Sequence, residues 1–145
     1  MIQDIVMDPE VLSKKCKPCA FFQLDVYQNK EIMQDLLETA MSQPPCVGLA
    51  ANQVGFDKRI ILIRPFGGKL YKIMVNPVIY CKTGGIKKGK EGCLSFPGKS
   101  FIVRRHKTVK VRYQIVTGRI MEDTYTGMSA RVVQHEIGHL NGVLI

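Results

Sequence analysis

QHEIGHLNGVLI, residues Gln134 to Ile145, closes the chain. On a helix, positions i and i+4 lie one above the other on the same face, so His135 and His139 can reach one metal ion together. Glu136 stands beside them, placed to handle the protons of a water. HExxH sites commonly take their third protein ligand from farther along the chain. Here six residues follow His139. Only Asn141 among them carries a side-chain donor atom, a poor one for a metal. The third ligand is therefore expected upstream.

Two upstream residues compete for that place. His106 lies in RRHK, close to Arg104, Arg105, Lys107 and Lys110, and such surroundings repel a cation. Cys93, in KEGCLSFPG, follows Gly92, where backbone can approach closely, and precedes Leu94, whose N–H can face a ligand at the metal. A thiolate leaves the metal less Lewis acidic than a third imidazole would, but it binds firmly. Cys93 is the preferred ligand, against the usual fate of a free cysteine as a small buried hydrophobe. A third stretch, CVGLAANQVG (Cys46 to Gly55), sets Leu49, Ala50 and Ala51 between two glycines. Alone it reads as a packing turn. With Gln53 it also offers an amide that donates to a developing oxyanion without titrating.

Composition bounds the rest. The chain has 145 residues, 46% hydrophobic and 23% charged, which suits one globular domain spanning 1–145. No stretch approaches the roughly 20 apolar residues of a membrane span, and the opening MIQDIVMDPE lacks the apolar segment of a leader. A cytoplasmic protein is expected. The five cysteines are odd in number and irregularly spaced, so reduced thiols fit better than a disulfide framework. Cys16 and Cys19 form a lone CKPC without the partner pair of a zinc knuckle or redox site. The net charge is +9, with its densest run at CKTGGIKKGK (Cys81 to Lys90). A solvated basic loop or strand pair is the plain reading. Attraction to RNA or the ribosome is a weaker one.

Working outward from the motifs, Asp25 to Met41 carries Met33, Leu36, Leu37, Ala40 and Met41 at helical spacing, and Pro44 and Pro45 stop it. RIILIRP (Arg59 to Pro65) reads as a buried strand. Gly67-Gly68 reads as a turn, KLYKIMVNP as a second strand ending at Pro77, and Val78 to Cys81 as a short third. TVKVRYQIV (Thr108 to Val116) alternates, with Val109, Val111, Tyr113 and Ile115 on one face. Gly118 turns into RIMEDTY. Met128 to Leu140, where Met128, Val132, His135 and His139 recur, is the last helix. The class is α+β.

Together CVGLAANQ (Cys46 to Gln53), EGCLS (Glu91 to Ser95) and QHEIGHL (Gln134 to Leu140), in this order and spacing, resemble the peptide deformylase family over nearly the whole chain. The opening IVMDPEVLSKKC is similar too, a proline-containing turn before a short leucine segment. The resemblance implies the deformylase fold, with antiparallel strands around a C-terminal HExxH helix and a helix on the N-terminal side. It implies one metal, Fe²⁺ with Zn²⁺ or Ni²⁺ as replacements, held by Cys93, His135 and His139. It implies hydrolysis of the N-formyl group from the initiator methionine of nascent peptides, giving formate and a free amine. Glu136 would carry the proton, and the Gln53 amide and Leu94 N–H would meet the oxyanion. Val47, Leu94 and Val132 would line a methionine pocket, while Gly48 and Glu91 would pair with the peptide backbone or hold loops. A monomer acting on N-formylmethionyl nascent peptides, with no membrane partner and its basic surface near the ribosome, is expected.

This chain departs from the family pattern in places. Gly138 stands where HExDH usually has Asp, which weakens support around the ligands. Cys46 replaces a usual Gly. Arg131 falls near an apolar pocket position, where it would narrow the pocket or favour an acidic side chain in the substrate. Family members in bacteria usually continue beyond the equivalent of Ile145; a natively short chain, as in some phage-encoded members, is one explanation. The competing readings are an HExxH metallopeptidase and a catalytically impaired metal-binding protein.

Overall fold

Ile60 to Ile63 is buried at all four positions, and strand alternation sends its side chains to opposite faces. Ile60 and Leu62 join Ile32, Leu36 and Ala40 in one apolar cluster; Ile61 and Ile63 join Ala130, Val133, Ile137 and Leu140 in another. A strand buried on both faces must lie between two layers, and each fully buried Ile or Leu contributes about 1.5–3 kcal/mol relative to exposure. The computed structural model, which describes residues 1–145, shows those layers to be helices. They are α2 (Gln23–Met41) and α3 (Gly127–Leu140), with a short α1 (Pro9–Leu12) before them. Between them runs an antiparallel sheet in the order β1 (Gly48–Ala50), β2 (Ile60–Ile63), β3 (Lys72–Glu91), β4 (Phe101–Gln114) and β5 (Ile120–Thr126).

The α+β class and both long helices match the sequence reading. In α2, Leu36 and Ala40 are buried as expected, but Met41 is exposed, and Asn29 takes an inner position by donating to the Ala20 carbonyl at 3.0 Å. In β4, Val109, Val111 and Tyr113 are buried, and Ile115, just past its end, is partly buried against the same cluster. Cys16 and Cys19 fall in different apolar clusters, so CKPC is no paired site.

Two expectations need correction. Gly48 to Ala50 is a strand paired with Ile61 to Ile63, and only Ala51–Val54 is a 3₁₀ turn; the small side chains that read as a turn are what let this strand lie under α3. Pro77 does not end a strand. β3 runs through it to Glu91 because register shifts lie between Val75 and Val78, Ile79 and Cys81, and Thr83 and Ile86. Asn76 takes positive φ, and its N–H turns to the Arg59 carbonyl at 2.7 Å. The missing proline N–H thus falls at an irregularity rather than in a regular ladder. Gly84 and Gly85, both at positive φ, form the third irregularity and add twist to the long β3–β4 pair. The basic stretch is therefore a strand pair.

Candidate active site

Helix α3 brings His135 and His139 to one side, and β1 and the loop after β3 approach them. The Nε2 atoms of His135 and His139 are 3.0 Å apart, and Cys93 Sγ lies 3.4 Å from His139 Nε2. All three donor atoms lie within 4.8 Å of one another. Metal–nitrogen bonds of about 2.0–2.1 Å and a metal–sulfur bond of about 2.3 Å put tetrahedral ligands roughly this far apart. A thiolate and two imidazoles, aimed at one point, fit a divalent transition metal. His106 lies elsewhere, bonded through its backbone to Gln134.

The imidazoles are prepared differently. Glu91 Oε1 lies 2.9 Å from His135 Nδ1, which leaves Nε2 for a metal. Burial, reinforced by the neighbouring His135 and Arg105, holds His139 neutral, its pKa pushed down to about 3. His139 Nδ1 has no partner. Gly138 supplies none, since a side chain there would face Val143. Support reaches His139 through its backbone instead, where Asn52 Nδ2 donates to its carbonyl at 2.8 Å. Around His135, burial would strip the proton, but Cys93, Glu136 and Glu91 outweigh it and raise the pKa. Metal uptake must therefore release a proton.

Glu136 is buried and its Oε1 has no protein partner. Burial pushes its pKa up to about 7; His135 and Arg105 pull down, and Glu91 pushes up. Beside it, Gly48 is a seat cut to size. A Cβ there would stand 2.5 Å from Glu136 Oε2 and 2.8 Å from Val132 Cγ1. Gly48→Ala is therefore expected to displace the carboxylate. A misplacement near 1 Å can cost on the order of 10²-fold in rate, and overpacking costs about 1–3 kcal/mol. Steady-state kinetics beside a thermal melt will separate the two. Unchanged kcat/KM would refute the placement of Glu136 against Gly48.

A cavity of about 650 Å³ opens over these groups, lined among others by Val47, Gly48, Leu94, Val132, Ile5 and Phe96. Val47 is exposed, and Val132 is buried at the cavity wall. The Leu94 N–H donates to no protein acceptor. Gln53 is buried, with Nε2 at 3.3 Å from Cys93 Sγ and 3.1 Å from Ser95 Oγ, and Oε1 accepting from the Ala50 N–H. Cys46 is not among the metal-ligating group; its Sγ meets the Gly48 carbonyl at 3.3 Å, and burial pushes its thiol up to about 11.

Glu91 and Arg131 belong to one buried network. The Glu91 carboxylate is engaged by Arg105 at 2.9 and 3.1 Å, by Arg131 Nε at 3.2 Å and by His135. Its oxygens are thus occupied within the protein, and it ties the end of β3 to β4 and α3. Arg131 donates to the Lys87 and Val103 carbonyls, and its guanidinium packs on Gly89, where a Cβ would not fit. Two of its donors thus serve the hairpin, while the residue also lines the cavity. Arg105, Ser95 and Asn52 were not singled out from sequence as supports. Their partners lie 14, 42 and 87 residues away along the chain, and no local pattern marks them.

The model of the polypeptide deformylase family matches residues 2–145. The chain belongs to this family. A peptide deformylase of Symbiobacterium thermophilum is 42% identical over 146 residues, covering 99% of this chain, and one of Thermotoga neapolitana is 41% identical over 138 residues, covering 95%. The chain spans 64% of the first relative's length and 80% of the second's. The Met-Ala-Ser-bound crystal structure of the Acinetobacter baumannii peptide deformylase superposes with a TM-score of 0.90 at 31% identity, covering 99% of this chain and 96% of that one. Neither a metallopeptidase nor an impaired metal-binding protein is indicated by these deformylase matches. No helix is long and apolar enough to cross a membrane.

Proposed function

We propose that this chain is a working peptide deformylase, hydrolysing the N-formyl group of formylmethionyl peptides to formate and a free α-amine. The observation that carries this reading is the convergence of Cys93, His135 and His139 beside the buried, unpartnered Glu136, at the floor of an apolar cavity. The donor set suits Fe²⁺, with Zn²⁺ or Ni²⁺ as replacements. A divalent ion held there supplies a water acidified toward neutrality and a Lewis acid for the formyl carbonyl.

The chain's own groups do the rest. Glu136 takes the proton as water oxygen bonds to the formyl carbon, and returns it to the nitrogen as the C–N bond breaks. The Leu94 N–H donates to the oxygen that gains charge. Gln53 Nε2 shares in this by turning the hydrogen that otherwise faces Cys93 Sγ. The absence of a side chain at Gly48 admits formyl beside Glu136, and the crowding there disfavours larger acyl groups. Val47, Leu94 and Val132 receive the methionine side chain. Nascent chains place the work in the cytoplasm, near the ribosome.

The test is formate release from formyl-Met-Ala-Ser by protein loaded with Fe²⁺ or Ni²⁺ under anaerobic conditions. Turnover that disappears on chelation and returns with metal is expected. A metal-loaded protein that releases no formate would sink the proposal.

A further inference from the structure

Between Lys58 and Met121 the sequence holds sixteen Lys and Arg and a single acid, Glu91, which is buried and shared between two arginines and His135. The charge concentrates on the β3–β4 pair. There Lys87 stands directly opposite Arg105, and Lys88 directly opposite Arg104. Arg105 is answered by Glu91, but Lys88 and Arg104 make no ion pair, and like charges facing each other across strands destabilise the pair, a cost that an anion lying over them would remove. Ile86 and Ile102, 56% and 70% exposed, stand on the same strands.

Where this hairpin meets the start of α3, there is a second cavity of about 210 Å³. Lys87, Lys88, Lys90, Arg105, Lys107 and Arg131 line it, with His106, and no acid does. Glu91 offsets only one of its two arginines. Gly127 and Met128, the first residues of α3, line it too. That helix end has no side-chain cap and no acid in its first turn, so its amides and dipole add to the attraction for an anion.

We infer that this cavity and the cationic hairpin beside it bind phosphate groups of a single RNA strand. The inference rests on the deformylase reading for its choice of partner, because formylated nascent chains emerge from an RNA-rich particle. A phosphate on a flexible strand can enter a recess between a hairpin and a helix end, whereas a bilayer presents its headgroups in a plane. On the outer face of the same strands, the exposed Ile86 and Ile102 add apolar surface beside Lys88 and Arg104.

The experiment is fluorescence anisotropy with a labelled oligouridylate about 20 nucleotides long, titrated over a range of salt. The triple variant Lys87→Glu/Lys88→Glu/Lys107→Glu is compared with Lys14→Glu/Lys15→Glu/Lys69→Glu, which makes the same charge change at exposed sites elsewhere. The hairpin variant is expected to bind at least about tenfold more weakly, and its slope of log K against log salt to fall by about 2, at roughly 0.7 per lost contact on a single strand. The control is expected to keep most of the slope. Equal weakening in both variants would reduce the effect to net charge and overturn the site. So would vesicles of anionic lipid binding the hairpin while RNA does not. Formate release from formyl-Met-Ala-Ser, measured on the same samples, reports folding and tests the catalytic reading separately. Its failure alone would leave the RNA result to stand or fall by itself.

Discussion

Glu136→Gln is expected to lower kcat for formyl-peptide hydrolysis by about 10²–10⁴, the range for removing a positioned proton carrier, with metal content unchanged. Glutamine fills the same seat against Gly48 and Val132, so geometry is kept and only proton transfer is lost. The same substitution has a second, opposite effect. In the metal-free protein, burial raises the Glu136 pKa to about 7 from its ordinary value of 4.5. The folded state then binds more protons than the unfolded one between those values, so stability falls as pH rises through that window. A neutral glutamine escapes this penalty. The metal-free variant should therefore melt higher than wild type at pH 8 and close to it at pH 4. Kinetics, metal analysis and melts at the two pH values test both halves. Full activity in the variant would remove Glu136 from proton transfer, and no difference between the melts would deny that its buried charge destabilises the fold.

What could be read from the sequence was whatever repeats at short range. The i, i+4 spacing placed both histidines on one face of α3, and the alternation from Val109 to Ile115 placed the inner face of β4. His106 could be set aside by charge, because the cations around it are its near neighbours in sequence, and Gly92 and Leu94 beside Cys93 favoured the thiol. The rest depends on register. Nothing local tells that Pro77 lies at an irregularity, because that depends on Asn76 bonding to Arg59, just before β2. Nor does the sequence reveal that Arg105 reaches Glu91. That contact exists because the β3–β4 register sets Glu91 opposite Phe101, and three register shifts accumulate before it. Arg131 is a related case. Its position on α3 points toward the cavity, which it lines, but nothing local tells that Gly89, 42 residues earlier, leaves the gap that its guanidinium fills.

Glu91→Ala should then be among the most damaging changes in the molecule, although Glu91 need touch no substrate. The side chains of Glu91, Arg105 and Arg131 are 8%, 12% and 10% exposed, so removing the carboxylate leaves two cations buried without their shared partner. Breaking a buried pair from one side costs about 3–5 kcal/mol. Burial raises the Glu91 pKa, but hydrogen bonds from His135 and Arg105 and their charges outweigh it and hold the carboxyl at about 2. With a folded pKa below the unfolded one, its contribution is fully present above about pH 4.5 and is lost as pH falls toward 2. The variant should accordingly lose stability at pH 7 and show a flatter acid limb than wild type. His135 also loses the acceptor that fixes its tautomer, a change that typically weakens metal binding 10–100-fold. Urea unfolding of the metal-free protein from pH 7 down to pH 3, with calorimetric Zn²⁺ titration, measures each consequence. A loss below about 0.5 kcal/mol would show that water screens the network as it screens a surface pair. An unchanged Zn²⁺ affinity would show that His135 is oriented by helix packing alone. If both losses appear, one carboxylate links the stability of the β3–β4 hairpin to the metal site on α3.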